Sequence, residues 1–147
     1  MDTSEKYIKM CEKAQEIQDL RKLDNGEGSP YLKEGDYFCK LTSTNVELFK
    51  NKTSYILIDI VWLPRQDQLQ DIVINKTNNF GSNNLSSQLL LNNIVGFSKE
   101  LYCSRKKEMF STLEQLWLAF VMKTIYNKIW NEETQNWKEI KWLRMQY

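Results

Sequence analysis

Arg65, Gln66, Asp67, Gln68 and Gln70 form the densest organised group of polar side chains in the chain, directly after Pro64. Leu69, Ile72 and Val73 recur beneath them at helical spacing, so the group sits on the outward face of a short helix. Arg and Gln present matched donors and acceptors, which suits recognition of a protein or nucleic-acid surface. The plainer alternative is a solvated helix face with an acid near its positive end. Asp59 interrupts the apolar run Tyr55–Leu63 (YILIDIVWL); a carboxyl buried there could work as an acid or base, and the plainer reading is a sheet-edge position or a structural Lys partner. Spacing fixes no second carboxylate opposite it, so two-carboxylate hydrolysis has no support. Ser104-Arg-Lys-Lys107 is a compact basic cluster between Tyr102 and Phe110. It could meet phosphates, but Glu100 and Glu108 flank it, as in a solvated loop.

Two tryptophans near the end, Trp137 and Trp142, stand between charged residues. Exposed there, they would suit a protein interface; folded back, they would cover the sheet. Trp117 belongs to the core, and Cys39 and Cys103, with no base or metal partner in sequence, pack. The three cysteines form no CxxC pair, so neither a disulfide framework nor a zinc site is expected. The chain contains no histidine. That removes the side chain best suited to acid–base work near neutral pH and excludes Ser–His and Cys–His nucleophiles within the chain. Catalysis would have to run on carboxylates, Lys or Tyr. The expectation is a protein that is not an enzyme and carries no cofactor.

Composition narrows the partners. Twenty basic and nineteen acidic residues in 147 leave no net field to draw in nucleic acid or anionic lipid. Residues 1–7 are mostly polar and read as no signal peptide. The longest apolar run, Leu116–Met122, is far below the ~20 residues that span a bilayer. A cytoplasmic protein that does not engage membranes is expected.

The elements that must position these residues follow from periodicity. Thr3–Leu23 reads as one amphipathic helix capped by Ser4 or Thr3, with Tyr7, Met10, Ala14, Ile17 and Leu20 inward. Asp24–Pro30 carries turn chemistry. Asp36–Leu41, Val46–Lys50 and Tyr55–Leu63 read as strands in a three-stranded antiparallel meander, the last in the central position. A helix over Arg65–Ile74 follows Pro64, then a mobile Asn/Ser-rich loop over 75–87. Leu89–Cys103 reads as strand, since Gly96 and the Asn pair weigh against helix.

Leu113–Trp130 is apolar on nearly every side: Leu113, Leu116, Trp117 and Phe120 form one stripe, and Leu118, Val121, Met122, Ile125 and Ile129 a second. Gln115, Lys123 and Asn127 leave a polar seam. Such a helix must be covered by other elements. Ser111-Thr-Leu-Glu114 reads as its capping box, and Asn127 or Asn131 as its stop. The tail around NEETQN is a hairpin or a turn into a short helix. Together these give an α+β fold in a single domain over residues 1–147, a small antiparallel sheet packed on the first helix and the Leu113 helix.

Three blocks, Ile8–Gln18 (IKMCEKAQEIQ), Trp62–Val73 (WLPRQDQLQDIV) and Leu113–Trp137, resemble a family of small uncharacterised proteins in phages and prophages of Gram-positive bacteria. WLPRQDQLQ and EQLWLAFVMK carry the resemblance; residues 75–105 lie outside it and read as an insertion. The family has no established activity, so the resemblance implies origin and a bacterial host cell rather than site residues. The resulting expectation is a non-catalytic binder of a host or phage macromolecule, such as an anti-CRISPR-type inhibitor of a defence system. Arg65, Gln66, Asp67, Gln70, Trp137 and Trp142 are its candidate partner-binding residues. A nucleic-acid-associated accessory protein is second and a histidine-free enzyme third.

Overall fold

A computed structural model describes residues 1–21, 32–50, 59–79, 87–104 and 109–140. Helices α1 (Glu5–Lys13) and α2 (Gln15–Asp19) precede strands β1 (Tyr37–Lys40), β2 (Ser43–Leu48) and β3 (Ile60–Leu63). Helices α3 (Gln66–Asn79), α4 (Ser87–Cys103) and α5 (Leu113–Tyr126) follow, and strands β4 (Lys128–Asn131) and β5 (Asn136–Glu139) close the chain. The fold is α+β, with a three-stranded antiparallel sheet and a separate hairpin.

The sheet order is β2-β1-β3, not a meander: β3 returns beside β1, which becomes the central strand. All four β3 residues are nevertheless buried, because α1 packs on the strand and Gln18 closes its free edge. The Gln18 side-chain amide accepts from the Trp62 N–H at 2.9 Å and donates to the Trp62 carbonyl at 3.0 Å. One side chain thus pairs the edge of β3 that faces away from β1 and blunts it. A break in the expected Thr3–Leu23 helix makes this possible. Ala14 leaves helical geometry at φ −86°, ψ 70°, and the second helix sets off at a new angle. Gln18 then reaches back to the Cys11 carbonyl as well, at 3.1 Å. Residues 22–31, including the expected Asp24–Pro30 turn, and 51–58, the first part of the expected third strand, lie outside the described residues.

α5 is the hub, packed against α1, α3, α4 and β4. Trp117, Leu118, Phe120, Val121 and Met122 are buried, and Trp117 meets Phe120 edge-on at 5.7 Å. Its N-cap is Thr112, whose hydroxyl accepts from the Gln115 N–H at 3.2 Å, so the capping box is displaced by one residue from the expected Ser111–Glu114 pair. Gln115 completes it by accepting from Ser111 N at 3.1 Å. Gln115, expected in the polar seam, is wholly buried. Its amide donates to Asp2 at 2.8 Å and to Ser4 at 3.1 Å, which ties the amino terminus to α5. Leu113, expected in an inward stripe, is exposed.

Asn127, the first of the two expected stops, adopts φ 54°, ψ 39° and ends α5 at Tyr126. Left-handed geometry suits Asn better than most residues. The tail is the hairpin of the two alternatives. Trp130 and Trp137 lie directly opposite each other across it, rings 5.1 Å apart at 67°.

Two further expectations are corrected. Residues 75–79, expected in a mobile loop, continue α3; Ser87 begins α4, and 80–86 lie outside the described residues. Leu89–Cys103, expected as strand, is helical throughout. Leu90, Ile94, Phe97 and Leu101 recur at helical spacing on the side facing the core, and burying that stripe outweighs the propensity cost of Gly96 and the two Asn.

Candidate functional site

The polar face after Pro64 is present, but much of it is already committed within the fold. Arg65 donates through Nε and one terminal nitrogen to the Asp67 carboxylate, at 3.0 and 2.8 Å. Its other terminal nitrogen donates to the Gly35 carbonyl at 2.5 Å. Gly35 has φ +89°, a geometry glycine adopts without penalty, and the turn it makes brings that carbonyl within reach. The hydrogen bonds with Asp67 raise the Arg65 pKa and lower that of Asp67, each favouring its own charged form. Gln68 is the half-box at the start of α3: its carbonyl oxygen accepts from Arg65 N at 2.9 Å, and its amide donates to Asp36 at 2.6 Å. Gln66 and Gln70 are half-buried on neighbouring turns, and their side-chain amides make no hydrogen bond to a described residue. The five residues therefore divide into a structural pin (Arg65, Asp67, Gln68) and two uncommitted amides.

Asp36 anchors that pin. It is almost wholly buried and accepts from Lys33 N at 2.8 Å, Arg21 at 3.1 Å and Gln68 at 2.6 Å. This makes it a joint between α2, β1 and α3.

Asp59, expected as a buried acid in a strand, is exposed with φ 60° immediately before β3 begins. The alternation that would have turned it inward starts only at Ile60. Its carbonyl accepts from Leu41 N at 2.9 Å, which is a turn role. Trp137, a candidate for an exposed interface, is instead 9% exposed, and its indole N–H donates to the Met10 carbonyl at 3.0 Å. That bond pins the hairpin to α1. Trp142 and Arg105–Lys107 of the basic cluster lie outside the described residues. Cys39 is buried, and burial raises its pKa, as it does more strongly for Cys11. Cys103, expected to pack, is exposed on the last turn of α4. No group of Cys, Asp and Glu among the described residues is placed to hold a metal ion, and no helix among them is long and apolar enough to cross a membrane.

The surface that the sequence reading missed is on α4. Leu91, Val95 and Tyr102 are 54%, 49% and 67% exposed. Spaced by four and seven residues, they form one stripe flanking the buried Leu90–Ile94–Phe97 side. Gln88, Asn92 and Lys99 border it, all exposed. Toward the carboxyl end of α4, a cleft of about 340 Å³ opens between α4, α5 and the hairpin. Phe97, Leu101, Met109, Phe110, Ile129 and Trp130 line it, with an ion pair at 2.5 Å between Lys123 and Glu100 at its edge. A strand reading keeps Leu91 and Val95 on one face but sends Tyr102, an odd number of residues away, to the other. The helical spacing that unites them was the available signal.

Comparison with protein-family models, curated proteins and solved structures returns no match.

Proposed function

We propose that this chain is a non-catalytic binding protein that docks a protein partner on the outer face of α4. The observation that carries the reading is the exposed stripe Leu91, Val95 and Tyr102 along one face of α4. An apolar strip with a polar border matches the layout of a protein interface, where a few buried anchors supply most of the affinity. Scattered exposed leucines need no explanation, but a contiguous set on one helix does. A near-balanced charge of twenty basic and nineteen acidic residues favours a protein over nucleic acid. The resemblance of the WLPRQDQLQ and EQLWLAFVMK blocks to phage and prophage proteins supports a host or phage protein as that partner. Inhibition of a bacterial defence system is one role such a binder would serve.

Two double variants test the reading. Leu91→Glu with Val95→Lys replaces exposed apolar groups by a helix-favouring pair four residues apart, so folding is retained. Gln66→Ala with Gln70→Ala removes the uncommitted amides of α3. From the bacterial host, wild type and the α3 variant should recover the same protein in stoichiometric amount, and the α4 variant should not. Equal recovery with the α4 variant overturns the reading. Loss with the α3 variant alone would move the interface to the Arg65–Gln70 face. Recovery of nucleic acid that dissociates at moderate salt would favour the accessory-protein reading.

A further inference from the structure

Along the face of α3 that carries Gln68, Ile72 and Asn75, a cleft of about 350 Å³ opens between α2, β3 and α3. That volume lies in the range of small-molecule sites. Arg21 and Trp62 both line it, the guanidinium carbon 4.2 Å from the centre of the indole ring. Each carries a buried nitrogen, Arg21 Nε and Trp62 Nε1, with no hydrogen-bond partner among the described residues. Trp62 is only 2% exposed. Buried donors left unpaired cost of order 1–3 kcal/mol each, so two within one small cleft are unusual. Guanidinium and indole nitrogens donate and never accept, so whatever satisfies them must bring acceptor oxygens.

The charge around them points the same way. Among the described residues, Arg21, Lys33 and Lys76 line the cleft against one acid, Asp71. The buried Asp36, bonded to Arg21, Gln68 and Lys33 N, offsets one of these charges and leaves the cleft net positive. Burial lowers the Arg21 pKa, Asp36 partly restores it, and nearby Arg65 lowers it again. Arg21 therefore holds its charge in surroundings that would gain from a second anion. Leu20 and the half-buried Ile72 supply an apolar wall beside the cations.

We propose that this cleft binds a small organic anion, a phosphate or carboxylate group carried on a compact apolar body. The anionic oxygens meet Lys33, Lys76 and Arg21, and the body lies on Leu20 and Ile72. The two orphan nitrogens are covered in the unliganded chain, so occupation includes a shift of Arg21, whose guanidinium is tied to Asp36 by one bond at 3.1 Å. The Trp62 indole N–H is the natural reporter of that shift. The site is separate from α4 and does not depend on the docking reading.

The test is nuclear magnetic resonance on the ¹⁵N-labelled full chain, following the Trp62 indole N–H. Phenyl phosphate and benzoate are the probes, and benzyl alcohol is the neutral control. A saturable shift of that resonance with either anion is expected, the tighter one identifying the anionic group. Affinity should fall by at least about tenfold in Lys33→Ala with Lys76→Ala, whose side chains line the cleft. An unmoved Trp62 resonance at millimolar probe overturns the proposal, as expected if ordered water alone fills the cleft. An equal response to benzyl alcohol, or unchanged affinity in the double variant, overturns it as well.

Discussion

Removing the Gln18 amide tests how the sheet is held. Gln18→Ala deletes the acceptor for Trp62 N–H and the donor to the Cys11 and Trp62 carbonyls, at 2.9, 3.1 and 3.0 Å. The Trp62 N–H is left buried at the free edge of β3, which costs roughly 2 kcal/mol. The two carbonyls lose about 1 kcal/mol each, since Cys11 O keeps its bond from Ala14 N at 3.1 Å. Side-chain freedom regained on truncation returns roughly 1.5 kcal/mol. The net loss is about 2–3 kcal/mol, a fall in Tm of roughly 5–10 °C for a chain of this size. Urea unfolding followed by tryptophan fluorescence and circular dichroism measures it. Gln15→Ala is the control: it removes an exposed bond to Asp19 at 2.8 Å and should change stability by less than about 0.5 kcal/mol. In Gln18→Glu the carboxylate faces two carbonyls, which raises its pKa in the folded state. Stability relative to wild type is then present below the unfolded value of about 4.3 and is lost as pH rises through the folded value. A Gln18→Ala protein as stable as the Gln15 control would refute the account of the β3 edge.

Four further outcomes follow from the geometry. Asp2 is pushed upward by burial but held below the usual carboxylate range by bonds from Thr112, Ser4 and Gln115; its stabilisation is present above the unfolded pKa and lost as pH falls through the lowered folded value. Asp2→Asn should therefore flatten the acid limb of a stability-versus-pH curve, and an unchanged limb would contradict this. Trp137→Ala should cost about 3–5 kcal/mol by emptying the hairpin side of the core, measured by denaturation, and a loss below about 1 kcal/mol would contradict the placement. Gly96→Ala should raise stability by about 0.5–1 kcal/mol, because an added Cβ meets nothing within 4 Å and the residue is helical. Arg65→Ala should lower Tm by a few degrees through loss of the Gly35 and Asp67 bonds, and leave partner recovery unchanged in the same pull-down.

The architecture was legible where one periodicity dominated. The α5 core stripe, the inward face of α1 with Tyr7 and Met10, taken up by Ile17 on α2, and the Pro64 boundary before α3 all follow from spacing and end signals. Three features were not legible, each because a long-range partner decides it. Gln115 looks solvent-facing until the amino terminus folds over it to supply Asp2 and Ser4. Gln18 looks like an outward helix residue until the break at Ala14 turns it onto the edge of β3. The β2-β1-β3 order depends on which strand β3 meets, and alternation within a strand says nothing about its neighbour. The candidate site fared less well. Arg65 and Asp67 stood out by type, yet a pair of opposite charges two residues apart satisfied each other. The α4 stripe was missed because Gly96 and two Asn were allowed to outweigh the spacing of Leu90, Ile94 and Phe97.

The most direct test of the central claim is hydrogen exchange on the isolated chain and on its complex with the recovered partner. The account predicts new protection concentrated in α4, Ser87–Cys103, with the α3 face and the hairpin unchanged. Protection confined to α3 or to the β4–β5 hairpin, with α4 exchanging as in the free chain, would contradict it.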